Sequence, residues 1–144
     1  AKVGDVKAAV NTLPNSVSTY IAIPSSTLRA SADTERSLAN TTTYTKEKEI
    51  VVNVDGAVRV SFDLAFGNGT PPVYGRIYKN GVAVGTERST ESTSYTTYTQ
   101  DISVAKGDVI QIYLKTESST TAVAYVRNFR LYWDYSNNTY VTQN

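Results

Sequence analysis

Ten consecutive residues, Ala57 to Phe66, alternate without a fault. Val58, Val60, Phe62, Leu64 and Phe66 share one parity, and Ala57, Arg59, Ser61, Asp63 and Ala65 the other. A period of two puts these sets on opposite faces of an extended strand, one dry and one wet. Similar patterns run through Ser94–Val104, Val109–Lys115 and Val123–Tyr135, and turns rather than helices lie between them. Asp55-Gly56 and Asn80-Gly81 are hairpin signals, because the turn residues must take positive φ. Lys106-Gly107-Asp108 makes a further turn. The chain therefore reads as all-β: an antiparallel β-sandwich of the jelly-roll kind with about eight strands. Its 144 residues fit one domain with a sufficient core of its own.

The first segment differs. Val3, Val6, Val10 and Leu13 are spaced three, four and three apart, which lines them up on one stripe of a helix, and Pro14 ends the pattern. Residues 1–19 are thus expected to form a short N-terminal helix or arm. Residues 20–135 form the sandwich, and 136–144 a polar C-terminal tail. Ser25–Asn40 reads as a surface loop. Lys46-Glu47-Lys48-Glu49 reads as a charged guard on an edge strand. An internal echo runs at an offset of 51 or 52 residues. Thr34-Glu35-Arg36-Ser37 leads to Tyr44, Ile50 and Gly56, and Thr86-Glu87-Arg88-Ser89 leads to Tyr95, Ile102 and Gly107. Two readings stand: related strand pairs from the two sides of one sandwich, or the same strand–turn–strand chemistry used twice.

Composition narrows the function. The 14 basic and 13 acidic residues are interspersed, with no basic stripe of the kind nucleic acid requires. No apolar run is long enough for a membrane span. There is no Cys and no His, so Ser-His-Asp and Cys-His nucleophiles cannot be assembled. Asp55, Asp101 and Asp108 fall at turns, and Asp63 on the wet face of its strand, where it reads as solvated surface. Calcium would need Asp55, Asp63 and Asp108 brought together by the fold. The expectation is a protein that is not an enzyme, with no catalytic residue, no cofactor and no metal site.

Ile77–Val84, Ser94–Leu114 and Ala124–Trp133 together resemble the jelly-roll head of the tumour-necrosis-factor and complement type. Spore-surface and phage virion proteins resemble that head too. The resemblance implies a homo-oligomer, in the first place a trimer. It implies a structural role in a phage or virus particle as a decoration, fibre or head component, attached to a capsid or surface lattice and located in the virion. The alternatives are a secreted surface or filament subunit at the cell surface, and a carbohydrate-binding β-sandwich module with a glycan as partner. The candidate interface residues are Val3, Val6, Val10 and Leu13 of the arm, with Tyr74, Tyr78 and Tyr132 as exposed aromatics. By parity Tyr74 and Tyr78 lie opposite Val73 and Ile77. Val123, Tyr125, Phe129, Leu131, Trp133 and Tyr135 share the buried face. Arg127 falls on that apolar parity as well, so it marks either a bulge or a buried or interface ion-pair partner.

Overall fold

A computed structural model describes the backbone of residues 16–141 and the side chains of residues 20–136. The stripe Val3, Val6, Val10 and Leu13 lies outside the described residues. Ten strands follow one another: β1 (Ser16–Ala32), β2 (Arg36–Ala39), β3 (Thr45–Val51), β4 (Gly56–Gly69), β5 (Val73–Lys79), β6 (Val82–Ala83), β7 (Arg88–Thr90), β8 (Thr96–Val104), β9 (Val109–Thr116) and β10 (Ala122–Val141). No helix occurs among the described residues. The strands form two sheets, in the orders β2-β10-β1-β4-β8 and β3-β9-β5-β6, with β10 also on β4 and β7 on β5. The chain divides into two compact units, Ala22–Asp134, which contains the sandwich, and Ala1–Ile21 with Tyr135–Asn144. In the second unit the rings of Tyr20 and Tyr135 meet edge to face, centroids 6.5 Å apart.

The alternation of Ala57–Phe66 survives intact in β4. Val58, Val60, Phe62 and Leu64 are fully buried. They face Ile110, Ile112 and Leu114 of β9 and Val73 and Ile77 of β5 in one core cluster. The turns take the geometry their residues favour: Asn80 and Gly81 have φ of 53° and 82°, and Gly107 has 97°.

The internal echo is a symmetry of the sandwich. β10 pairs with β2 and β4, just as β5 pairs with β7 and β9. β4 pairs with β8, just as β9 pairs with β3. The pairing pattern of β2, β3, β4 and β10 thus matches that of β7, β8, β9 and β5. Register agrees as well: Val58↔Ile102 in one sheet matches Ile110↔Ile50 in the other. The repeated Tyr and Glu cross over, since Tyr44 donates to Glu87 and Tyr95 donates to Glu35. The echoed segments thus occupy corresponding places in the two sheets.

Three segments depart from expectation. Ser25–Asn40 is not a loop, because β1 continues to Ala32 and β2 follows. Ala30, Ala32 and Leu38 pack against the core there. Ala30 and Ala32 bury too little apolar surface to signal a strand. Pro24 does not stop β1: pairing with β4 is a single parallel bridge, Ala22↔Gly56, so no ladder bond on that side is lost. At the other end β10 runs on to Val141, into the segment expected to be a tail.

The third departure is in β10. Ala122, Ala124 and Val126 are buried, and then Phe129, Leu131 and Trp133. Parity switches between them at a bulge, where pairing with β4 jumps from Arg127↔Asp63 to Arg130↔Ser61 and Asn128 has φ of 51°. An extra residue reverses the facing of everything before it. Val123 and Tyr125 therefore point outward rather than into the core, and Tyr135 is 47% exposed. Trp133 is core, as its parity demands. In the second sheet β3 is the edge. A bulge lies at Lys46/Lys48, and Lys48 is itself buried, which is how an edge strand is blunted by an inward-pointing charge.

Candidate functional site

The outer face of the first sheet is built from rows across β10, β4 and β8. Pairing sets Tyr132 beside Arg59 and Asp101, Arg130 beside Ser61 and Thr99, and Arg127 beside Asp63 and Thr97. Ser61 and Asp63 are buried and form the floor, whereas the charged side chains on either side are half-exposed. Asp63 is thus not solvated surface. Thr97 donates to it at 2.7 Å, Asn128 at 3.0 Å and Arg127 through Nε at 3.2 Å. The Arg127 guanidinium lies 3.9 Å from the centre of the Tyr95 ring. Of the readings of Arg127 the bulge is the one realised: it turns the arginine outward, where the half-exposed side chain pairs with Asp63.

One end of this face is hollowed into a shallow depression of about 290 Å³ lined by Ser25, Ser26, Arg59, Ser61, Thr99 and Tyr132. Arg59 is fixed there by three donors. Nε and Nη2 reach the two oxygens of Asp101 at 3.0 and 3.4 Å, and Nη1 reaches the Ser25 carbonyl at 3.4 Å. Beside it Arg130 grips Asp33 through Nε and Nη2 at 2.9 and 3.1 Å, and this hydrogen bond holds the Asp33 carboxyl below its ordinary value. The same partner, followed by the Tyr132 hydroxyl, raises Arg130. The depression therefore offers hydroxyls, a pinned guanidinium and a phenol ring, with each arginine matched by a carboxylate. That is a surface for a polyhydroxylated ligand, because it supplies fixed donors and acceptors beside an apolar ring without demanding a charge.

Tyr74 and Tyr78 lie on the outer face of the second sheet, opposite Val73 and Ile77, so the fold sets them apart from Tyr132. They belong to a ladder. Tyr78 stacks on Tyr113 at 3.7 Å with planes 7° apart, and Tyr44 lies 5.9 Å from Tyr78. Lys115 Nζ sits over the rings of Tyr44 and Tyr74 at 4.9 and 4.8 Å and pairs with Glu87. Ring faces here are already occupied by a neighbouring ring or a cation.

The Tyr44 and Tyr74 hydroxyls are engaged as well, with a consequence at high pH. The hydrogen bond from Tyr74 to Glu117 pushes its phenol up to about 12 from 10.0. Burial, followed by a glutamate acceptor, raises Tyr44 and Tyr95. A phenol raised in the folded state stabilises it while protonated. This contribution is complete below pH 10.0 and is lost as pH rises through the folded value, about 12 for Tyr74. Spectrophotometric titration should show a late-ionising group of tyrosines in the folded protein. Tyr74→Phe should remove one of them and flatten the alkaline loss of stability above pH 10.0.

Sequence reasoning missed Tyr125. It was assigned to the core through the unbroken parity of β10, whereas the bulge faces it outward beside Ala65. Its ring lies across Gly67: a Cβ there would fall 2.5 Å from Tyr125 Cε2. The available signals were Arg127 on the wrong parity, followed by Asn, a residue that tolerates positive φ.

The three aspartates considered for calcium do not converge on one point, and each is engaged. Asp55 accepts from the Lys106 amide, Asp108 from Asn80 and the Ala105 amide, and Asp63 as above. Among the described residues no three acidic groups converge.

No family model and no curated protein matches the sequence. Solved structures match in fold. The C-terminal domain of EclA, described as a sugar-binding protein, superposes with a TM-score of 0.53 at 6% identity, covering 77% of this chain and 81% of that one. The CBM22-1 xylan-binding domain of Paenibacillus barcinonensis Xyn10C superposes at 0.43 with 12% identity, covering 88% and 95%. What is shared at such identities is architecture, and it places the chain among two-sheet β-sandwiches. The resemblance to tumour-necrosis-factor heads is corrected accordingly. It holds for the sandwich, while the finer type does not, because strand–turn alternation with Asn-Gly and Gly-Asp turns serves many antiparallel sandwiches.

Proposed function

We propose that this protein is a non-catalytic carbohydrate-binding β-sandwich module, with the Tyr132 depression as its sugar site. The observation that carries the reading is the lining: three serines, a threonine, a guanidinium fixed by three bonds and a tyrosine, on a sheet face whose carboxylates are already paired to arginines. Acid–base hydrolysis of a glycoside calls for two carboxyl groups free to act on the bond. Asp33, Asp63 and Asp101 are each tied to an arginine instead. The fold shared with a domain described as sugar-binding supports the same reading.

The particle-assembly expectation drew on the tumour-necrosis-factor likeness and on residues 1–19. The likeness is corrected above, and the side chains of that segment lie outside the described residues, so the glycan reading takes precedence. On a glycan array Tyr132→Ala should abolish binding, since the ring forms the apolar wall. Loss of a stacked aromatic and its hydroxyl contact corresponds to roughly tenfold or more in affinity. Wild-type protein that binds no glycan, or a Tyr132→Ala variant that binds as well as wild type, would remove the reading.

A further inference from the structure

The depression is one end of a longer feature. Along β4 the outward residues Arg59, Ser61, Asp63 and Ala65 run from beside Tyr132 to beside Tyr125. Six residues of extended strand span about 20 Å, well beyond one sugar ring. Ser61, Asp63 and Ala65 are all buried although they face outward, so they form a floor between the side chains of β10 and β8. Midway stands Arg127, its guanidinium 3.9 Å from the centre of the Tyr95 ring, its Nε on Asp63 and its side chain 44% exposed. At the far end the half-buried Tyr125 lies against Gly67, where a Cβ would meet its ring edge. The strip carries three arginines, Arg59, Arg127 and Arg130, matched by Asp101, Asp63 and Asp33.

From this geometry, and resting on the carbohydrate reading above, we propose that the outer face of the first sheet takes an uncharged linear oligosaccharide lying along β4, with one sugar ring at Tyr132 and a later one stacked on Tyr125. Pairing of every arginine leaves no net charge to reward an acidic chain, and the two tyrosines set the length.

The test uses the full chain. Titration calorimetry compares neutral gluco-, galacto- and mannotetraoses with their monosaccharides and with a tetragalacturonate. For one neutral series, the tetraose should bind about tenfold more tightly than its monosaccharide, the increment of one further stacked ring. Tyr125→Ala should abolish that gain and leave the monosaccharide affinity unchanged, and Tyr125→Phe should restore it. Tetragalacturonate should bind more weakly than the neutral chain. Equal affinity for monosaccharide and tetraose, equal weakening of both by Tyr125→Ala, or tightest binding of the tetragalacturonate would overturn the extended neutral site while leaving a sugar site at Tyr132. Failure of every glycan to bind wild type would instead overturn the carbohydrate reading on which it rests.

Discussion

Phe62→Ala and Phe129→Ala are each expected to lower the free energy of unfolding by about 3–5 kcal/mol, measured by urea denaturation followed by tryptophan fluorescence. Both rings are fully buried. Phe62 reaches from β4 to the opposite sheet, where it fills the place a side chain on Gly75 would take: a Cβ there would lie 3.0 Å from Phe62 Cε2. It also packs beside Tyr98, centroids 5.9 Å apart. The glycine on the facing strand contributes no side chain to refill the hole, so closing it falls to Leu64, Leu114 and Tyr98 around it. Phe129 is the first inward residue after the bulge, and losing it removes both core contact and one reason for the parity to switch there. Against a typical stability of roughly 5–15 kcal/mol, either loss is a large fraction. Losses below about 1 kcal/mol for both would mean that the inward faces are wrongly assigned.

The core was legible in the sequence because periodicity carries it. Phe62, Leu64, Phe129 and Leu131, all expected to be inside, are buried. What periodicity does not carry is a change of phase. One residue in β10 moved Tyr125 from the expected core to the outer face. Arg127 was the only discordant letter, and alone it fits either a bulge or a buried ion pair. β1 was obscured for another reason. Its inward residues beyond Pro24 include Ala30 and Ala32, which bury too little surface to stand out. The site was half legible. Tyr132 stands out as an outward aromatic, but Ser25 and Ser26 reach the depression from a strand that reads as loop, and Thr99 only through the register of β4 with β8. Those are long-range pairings, and no local pattern encodes them.

Asp63→Leu is expected to cost about 2–3 kcal/mol, the range for removing hydrogen bonds to a charged acceptor and leaving polar partners behind. The carboxylate is the point on which the bulge closes. It accepts from Thr97 on β8 and from Arg127 and Asn128 on β10, so it joins three strands across the centre of the sheet. Asn128 sits at a positive φ that a non-glycine residue holds only when its surroundings fix it, and its amide to Asp63 is one such constraint. Removing the acceptor leaves three donors unmatched on a nearly buried floor. Arg127 itself is 44% exposed and can turn to water, which keeps the cost below that of a fully buried pair. Asp63→Asn retains an acceptor oxygen and should cost less, about 1 kcal/mol. A double-mutant cycle with Arg127→Ala should give a coupling of about 1 kcal/mol or less, because half the pair is solvated. The remainder of the Asp63→Leu loss then belongs to Thr97 and Asn128. Faster amide exchange confined to the bulge should accompany it. An Asp63→Leu protein as stable as wild type, with the exchange around Asn128 unchanged, would show that backbone pairing alone holds the phase shift and that the carboxylate does not anchor it.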